Sequence, residues 1–330
     1  MRTLTMYGVR ELAPGPRWQA LFEATWPAYR RWYLSEGPEA RPSLTEAASA
    51  LARFMPELLP TWARLSQQTG FADLATTMLT QWRLPAFAPA ACSQVVVLDP
   101  EPTLLRNYDY HPDLLECVSI STEYLQPVIG TGDCLWGLLD GMNGAGLAVS
   151  LTFGGDRRTG AGFAIPLVLR YLLEVCRDVA EAREALSGLP VSMSYNLTMV
   201  DRTGSCLTAH VGPDRRAEFR SRPVATNHRW DQPVDPDHAV RYRSVERLDT
   251  LRRLLDRRAA PESVGDELLR TPLRSVDYDG GFGTLYTAVY RPAEPRLEYR
   301  WPTTAWSRDF GSTDEVITVD LDGTSDRPVR

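Results

Sequence analysis

Cys92, Arg106 and Asp109 are the residues of this sequence whose types and spacing could do chemistry. Cys92 stands where the Pro-punctuated stretch ending in Pro89-Ala90-Ala91 gives way to Ser93-Gln94-Val95-Val96-Val97-Leu98-Asp99. Two readings compete. A free cysteine entering a strand packs like a small hydrophobe, which is the commoner fate of the residue. Alternatively, cutting the Ala91–Cys92 bond makes Cys92 a new N-terminus. Its α-amine, titrating at roughly pH 7.7–8.0, would then serve as the base for its own thiol, and the alanines before it leave room for attack on the upstream carbonyl.

The residues C-terminal to Cys92 favour the second reading. The apolar runs Val95 to Leu98 and Thr103 to Arg106 flank Asp99-Pro100-Glu101-Pro102, a pattern that predicts a hairpin and returns Arg106 and Asp109 to the side of Cys92. A guanidinium beside the sulfur favours thiolate, and a carboxylate can hold an α-ammonium. The plainer alternative for Arg106 and Asp109 is a surface ion pair at a strand end, which is worth little.

Cys92, Arg106-Asn107-Tyr108-Asp109, Gly141-Met142-Asn143-Gly144-Ala145-Gly146-Leu147, Thr226-Asn227-His228 and Gly283-Thr284-Leu285-Tyr286, in that order, resemble the N-terminal-nucleophile (Ntn) amidohydrolases. The groups most alike are choloylglycine hydrolase (bile salt hydrolase and penicillin V acylase) and, given the long leader, the acyl-coenzyme A:6-aminopenicillanate acyltransferase family. The resemblance implies an α+β fold, a four-layer αββα sandwich, with residues 1–91 as a helical pro-region and 92–330 as the catalytic domain. It further implies self-cleavage between Ala91 and Cys92 and a thioester acyl-enzyme formed from a small-molecule or peptide amide.

Residue by residue, the resemblance makes Asn227 an oxyanion donor and places an active-site arginine at Arg247, with Arg243 as the alternative. A second oxyanion side chain, Asn or Tyr in the family, falls on Thr152, whose hydroxyl donates one bond and reaches less far than an amide. Asn143, Asn196 and His228 are further oxyanion or pocket candidates, His228 as a structural or pocket-lining residue in preference to a catalytic one. The expected partners are the amide substrate, acyl-coenzyme A or an amine as acceptor, and the cleaved pro-region. No cofactor and no metal are expected. The resemblance also suggests a role in secondary metabolism.

The wider composition is that of a soluble globular protein. The net charge of −6 gives no reason to expect nucleic acid or anionic membrane, and oligomeric state stays open. There is no lysine, which removes Walker-type phosphate loops, pyridoxal phosphate attachment and Schiff-base chemistry. Five scattered cysteines without a C-x-x-C pair argue against a disulfide framework, and the four histidines show no metal spacing. Neither a signal peptide nor a long apolar span is visible, so the expected location is cytoplasmic.

Positioning these residues requires a definite set of elements. The leader is mostly helical, with Trp18, Leu21, Phe22, Trp26, Tyr29 and Tyr33 at helical spacing and a capping box at Ser43-Leu44-Thr45-Glu46. Strands are expected at Val95 to Leu98, Leu115 to Ile120 and Ala148 to Phe153. A helix over Ile165 to Cys176 continues through Asp178 to Leu189, before a hairpin of Val191 to Val200 with Ser205 to Val211. A helix is expected from Ser244 to Arg258, and closing strands at Gly283 to Tyr290 and Arg296 to Trp301, with the tail after Asp314 frayed. A non-catalytic αββα module that binds or supports without processing is the competing function, and it predicts an uncleaved chain with an unreactive Cys92.

Overall fold

The computed structural model describes residues 2–88, 91–213, 215–230, 234 and 236–323. The N-terminal segment opens with a strand, β1 (Thr3–Arg10), followed by α1 (Pro16–Tyr33), α2 (Leu44–Phe54), α3 (Leu59–Gln68) and α4 (Asp73–Leu79). Then come β2 (Ala91–Val97), β3 (Thr103–Tyr110), β4 (Val118–Glu123), β5 (Pro127–Asp133), β6 (Gly137–Asn143) and β7 (Leu147–Phe153). Helices α5 (Ile165–Val175) and α6 (Val179–Gly188) lead to β8 (Tyr195–Asp201), β9 (Cys206–Val211), β10 (Glu218–Arg220) and β11 (Val224–Ala225). Three more helices, α7 (Pro236–Tyr242), α8 (Ser244–Asp256) and α9 (Pro261–Leu268), precede β12 (Val276–Asp277), β13 (Phe282–Arg291), β14 (Arg296–Arg300), β15 (Ala305–Arg308) and β16 (Glu315–Asp320).

These strands form two sheets. One runs β10-β9-β8-β7-β6-β5-β4-β1-β16, and the other runs β11-β2-β3-β13-β14-β15 with β12 on β13. β2 and β3 of the second sheet face β7 and β8 of the first; α5 and α6 cover the first sheet, α8 and α9 the second. The fold is therefore α+β, an αββα sandwich. Its strands read as apolar on both faces because each sheet has a partner layer on each side; β2, β3, β6, β7 and β8 are buried along their whole length. No helix among the described residues is long and apolar enough to cross a membrane.

Local sequence explains much of this. Ser43 accepts a hydrogen bond from the Glu46 amide at 3.1 Å and starts α2. The reciprocal half of the box is not made, because the Glu46 carboxylate instead accepts from the indole N–H of Trp82 at 3.1 Å. Asp178 caps α6 by accepting from the Glu181 amide at 2.9 Å. Asp201 closes the β8–β9 turn by accepting from the amides of Thr203 and Ser205, with Gly204 at φ +87°.

Several expectations need correction. The segment before Cys92, expected to be mostly helical, begins with a strand. β1 pairs antiparallel with β16 and parallel with β4, so the first residues are a strand inside the larger sheet. The tail after Asp314 is correspondingly ordered as β16 through Asp320. The strand expected at Leu115 to Ile120 lies at Val118–Glu123, beyond Cys117 at φ +58°, and the strand expected from Val191 begins at Tyr195. Strands β5 and β6 and helix α9 are additions that the sequence patterns do not announce. Pro89 and Ala90 of the stretch before Cys92 lie outside the described residues.

Candidate active site

The β2–β3 hairpin forms as expected, with Ala91 opposite Asp109, Cys92 opposite Tyr108 and Gln94 opposite Arg106. Strand alternation then sorts the site residues by face. Cys92, Val96, Leu104, Tyr108 and Tyr110 belong to the core between the sheets. Val95, Val97 and Leu105 belong to the core under the helices. Cys92 and Arg106 thus point inward, and Ala91 and Asp109 point towards the helical layer.

Arg106 reaches the sulfur. Its Nη2 lies 3.4 Å from Cys92 Sγ, and its Nη1 donates to the Leu139 carbonyl at 2.7 Å and to Asp140 Oδ2 at 2.8 Å. Asp140 is held from four sides. Besides Arg106, Tyr286 donates to Oδ2 at 2.7 Å, and Thr131 and Tyr290 donate to Oδ1 at 2.7 and 2.5 Å. Both Arg106 and Asp140 have no exposed surface. A carboxylate with four donors is how a charge survives in a dry core, and it fixes the guanidinium against the sulfur.

The Cys92 thiol is pushed up from 9.0 to about 11. Burial is the main cause; Arg106 pulls against it, and the Asp109 carboxylate adds to it. In the intact chain the sulfur therefore carries its proton at neutral pH and is closed off from solvent.

Asp109 makes a second buried pair. Arg247 Nη1 donates to its Oδ2 at 2.5 Å, and Thr284 donates to Oδ1 at 2.6 Å. Burial pushes this carboxyl above the ordinary 3.8, with Arg247 the largest opposing influence. A bulge in β13 between Thr284 and Tyr286 lets Thr284 face Asp109 while Tyr286 faces Asp140. Arg247 also donates from Nε to the Pro272 carbonyl at 3.0 Å. The alternative, Arg243, lies away from Asp109. It is half exposed, in the left-handed region at φ +49°, and paired with Glu246 one turn on.

Asn227 meets Cys92 directly, but through its oxygen. Oδ1 accepts from the Cys92 backbone N–H at 2.8 Å, so in the intact chain it holds the nitrogen that cleavage would turn into the α-amine. The loop carrying Asn227 is fastened from β8. Asn196 Nδ2 donates to the carbonyls of Thr226 at 2.9 Å and His228 at 3.2 Å, and its Oδ1 lies 2.8 Å from His210 Nδ1. His238 Nε2 lies 2.5 Å from the Asn227 carbonyl oxygen. Asn196 is thus a support for the site, and His210 and His238 are supports that no sequence pattern singles out.

Two oxyanion candidates do not fit that use here. The Thr152 hydroxyl donates its one proton to the Thr226 carbonyl at 2.9 Å and accepts from Asn196. Asn143 Nδ2 donates to the carbonyls of Leu173 and Cys176, and its Oδ1 accepts from the Leu147 amide, so it fastens the end of α5 to the β6–β7 turn. His228 Nδ1 lies 2.5 Å from Ser244 Oγ, and burial lowers its pKa from 6.5 to about 4, so the ring is neutral at pH 7.

Asp140, Tyr286 and Tyr290 are the main additions to the expected site. An aspartate inside the buried strand Gly137–Asn143 was the available signal, since a lone carboxylate there must have partners.

The model of the family described as acyl-coenzyme A:6-aminopenicillanic acid acyl-transferase matches residues 98–306. The chain belongs to this family, within the Ntn-hydrolase superfamily. The matched span of this family member contains Arg106, Asp109, Asn227 and Arg247 and begins just after Cys92. Among solved structures, the chain is similar to a mutant of conjugated bile acid hydrolase from Clostridium perfringens at 14% identity, covering 69% of this chain and 96% of that one, TM-score 0.49. It is also similar to the Caenorhabditis elegans orthologue of N-acylethanolamine-hydrolyzing acid amidase at 15% identity, covering 62% and 94%, TM-score 0.45. Penicillin V acylase from Agrobacterium tumefaciens is similar at 12% identity, covering 69% and 81%, TM-score 0.35. No curated protein sequence matches the chain.

Proposed function

We propose that the chain is a cysteine amidohydrolase or acyltransferase that activates itself by cutting the Ala91–Cys92 bond and works through a thioester. The observation that carries this reading is the pair of contacts on one residue: Arg106 Nη2 at 3.4 Å from Cys92 Sγ and Asn227 Oδ1 at 2.8 Å from Cys92 N. In self-cleavage the thiol attacks the Ala91 carbonyl and the Cys92 nitrogen leaves as an amine with the thiol proton. Water then hydrolyses the thioester, leaving an Ala91 carboxylate and a free Cys92. In turnover the new α-amine takes the thiol proton, the sulfur attacks the substrate amide, and the departing amine takes the proton back.

Arg106 stabilises the thiolate that burial otherwise disfavours, and Asn227 positions the amine. Arg247 holds Asp109 on the helical side. A rotated Asn227 amide would supply an oxyanion donor, a group worth roughly 10²–10³ in turnover. Water resolving the thioester makes a hydrolase, and an amine resolving it makes an acyltransferase.

The test is the intact mass of purified wild type beside Cys92→Ala. Two fragments divided at Ala91/Cys92 are expected for the wild type and one chain for the variant. If both stay intact after long incubation, the reading fails and the non-catalytic module takes its place. For the processed protein, a product that changes from free acid to a new amide when an amine or acyl-coenzyme A is added identifies an acyltransferase.

A further inference from the structure

Ala91 has surroundings of its own. It is buried in a small apolar cluster with Tyr242 of α7 and Phe282 of β13, separate from both larger cores. The two rings meet edge to face, 5.0 Å apart at 90°, and the Arg241 guanidinium lies 4.7 Å from the Phe282 ring centre. Tyr242 in turn lies tilted against His238, ring centres 4.4 Å apart at 44°, and His238 sits 5.8 Å from Phe153. An aromatic wall therefore runs from the end of β7, past the loop that holds Asn227, to the residue on the acyl side of the bond to be cut.

The self-cleavage reading places the Ala91 carbonyl at the sulfur once, and every substrate carbonyl at the same sulfur afterwards. Both must approach the same Cys92 Sγ with the same donors around it. The groups that enclose the Ala91 side chain thus enclose whatever the substrate carries on the carbon next to its carbonyl. The β2–β3 ladder fixes which way that substituent points, because Ala91 is paired with Asp109 and only the L-configured branch turns towards the rings. Two rings closed on a methyl group leave room for a methyl group.

We propose that Tyr242 and Phe282 form the acyl-side specificity subsite, and that the substrate is an amide whose acyl half bears a small, apolar, L-configured substituent, an L-alanyl-type amide. This rests on the function proposed above and adds the substrate class to it. Discrimination against a larger side chain is at least about 10- to 100-fold, the scale of a single methylene in a closed apolar pocket.

The experiment has two parts. In the full chain, Ala91→Phe slows self-cleavage, followed by intact mass, by about 10- to 100-fold, and adding Phe282→Ala restores most of the rate. In the processed protein, the 4-nitroanilides of L-alanine, D-alanine and L-phenylalanine are compared by kcat/KM. The L-alanine compound is preferred over the other two, and Phe282→Ala moves the ratio at least about tenfold towards L-phenylalanine. Phe282→Leu, which keeps an apolar side chain in the cluster, moves it the same way by less.

Failure of the parent reading shows in the wild type alone as an uncleaved chain, and the subsite falls with it. A wild type that cleaves itself overturns the subsite alone in any of three ways: Ala91→Phe cleaves at an undiminished rate, the ratio is unmoved by both Phe282 variants, or none of the three nitroanilides is turned over.

Discussion

Two buried arginine–carboxylate pairs flank Cys92, and they are built from different parts of the molecule. Arg106–Asp140 lies between the sheets, and every group that donates to Asp140 comes from a strand. Arg247–Asp109 lies on the other face of the same hairpin and joins it to helix α8, with one hydroxyl, from Thr284, in support. The difference separates two jobs. The charge that touches sulfur is locked between the two sheets by side chains of three strands. The charge beside Ala91 is held from the helical layer, through α8.

The largest effect expected from this contrast is that of Asp140→Ala. It leaves the Arg106 guanidinium in a dry interior without its counter-charge and costs about 3–5 kcal/mol in urea unfolding. A cost below about 1 kcal/mol would show that Arg106 is held some other way.

Arg247→Met should cost less, about 1–3 kcal/mol, because Asp109 keeps the Thr284 hydroxyl and can take up a proton. The cost should also depend on pH. Burial holds the folded pKa of Asp109 above 3.8, so its stabilising contribution is complete below 3.8 and is lost as pH rises through the folded value. Removing Arg247 deepens that loss, and the gap in melting temperature to wild type should widen from pH 4 to pH 8. A gap constant with pH would mean that the two pairs behave alike.

The smallest effect concerns His228, also on the helical side. Its folded pKa is lowered from 6.5 to about 4, so its contribution is present above 6.5 and disappears as pH falls towards 4. His228→Asn should flatten the acid-side decline in melting temperature over that window and leave the value at pH 7 nearly unchanged. A wild-type slope retained in the variant would show that His228 is not the group responsible.

The legible part of the site was the local part. Cys92, Arg106 and Asp109 lie on two strands joined by a short loop, so the turn signal and the period-2 alternation were enough to pair them. Asn227 and Arg247 came from family resemblance, and their meeting with Cys92 and Asp109 spans more than a hundred residues of sequence. Asn143 differs from expectation for a related reason. An asparagine before a glycine turn resembles a pocket residue, yet its amide is taken by carbonyls at the end of α5, which no local pattern reveals.

By itself the sequence determined the hairpin, the cap of α2, the apolar strands and the absence of lysine chemistry, because each depends on composition or on neighbours along the chain, whereas the one helix expected through Asp178 is broken after Val175 into α5 and α6. Tertiary structure alone decided that β1 enters the larger sheet, that Asp140 gathers Arg106 and two tyrosines, and that Ala91 lies against Tyr242 and Phe282. Each of these is a partnership between distant segments. A buried charge or a strand edge takes whichever complementary group the packing of layers brings within reach, and that is not written in the residues on either side of it.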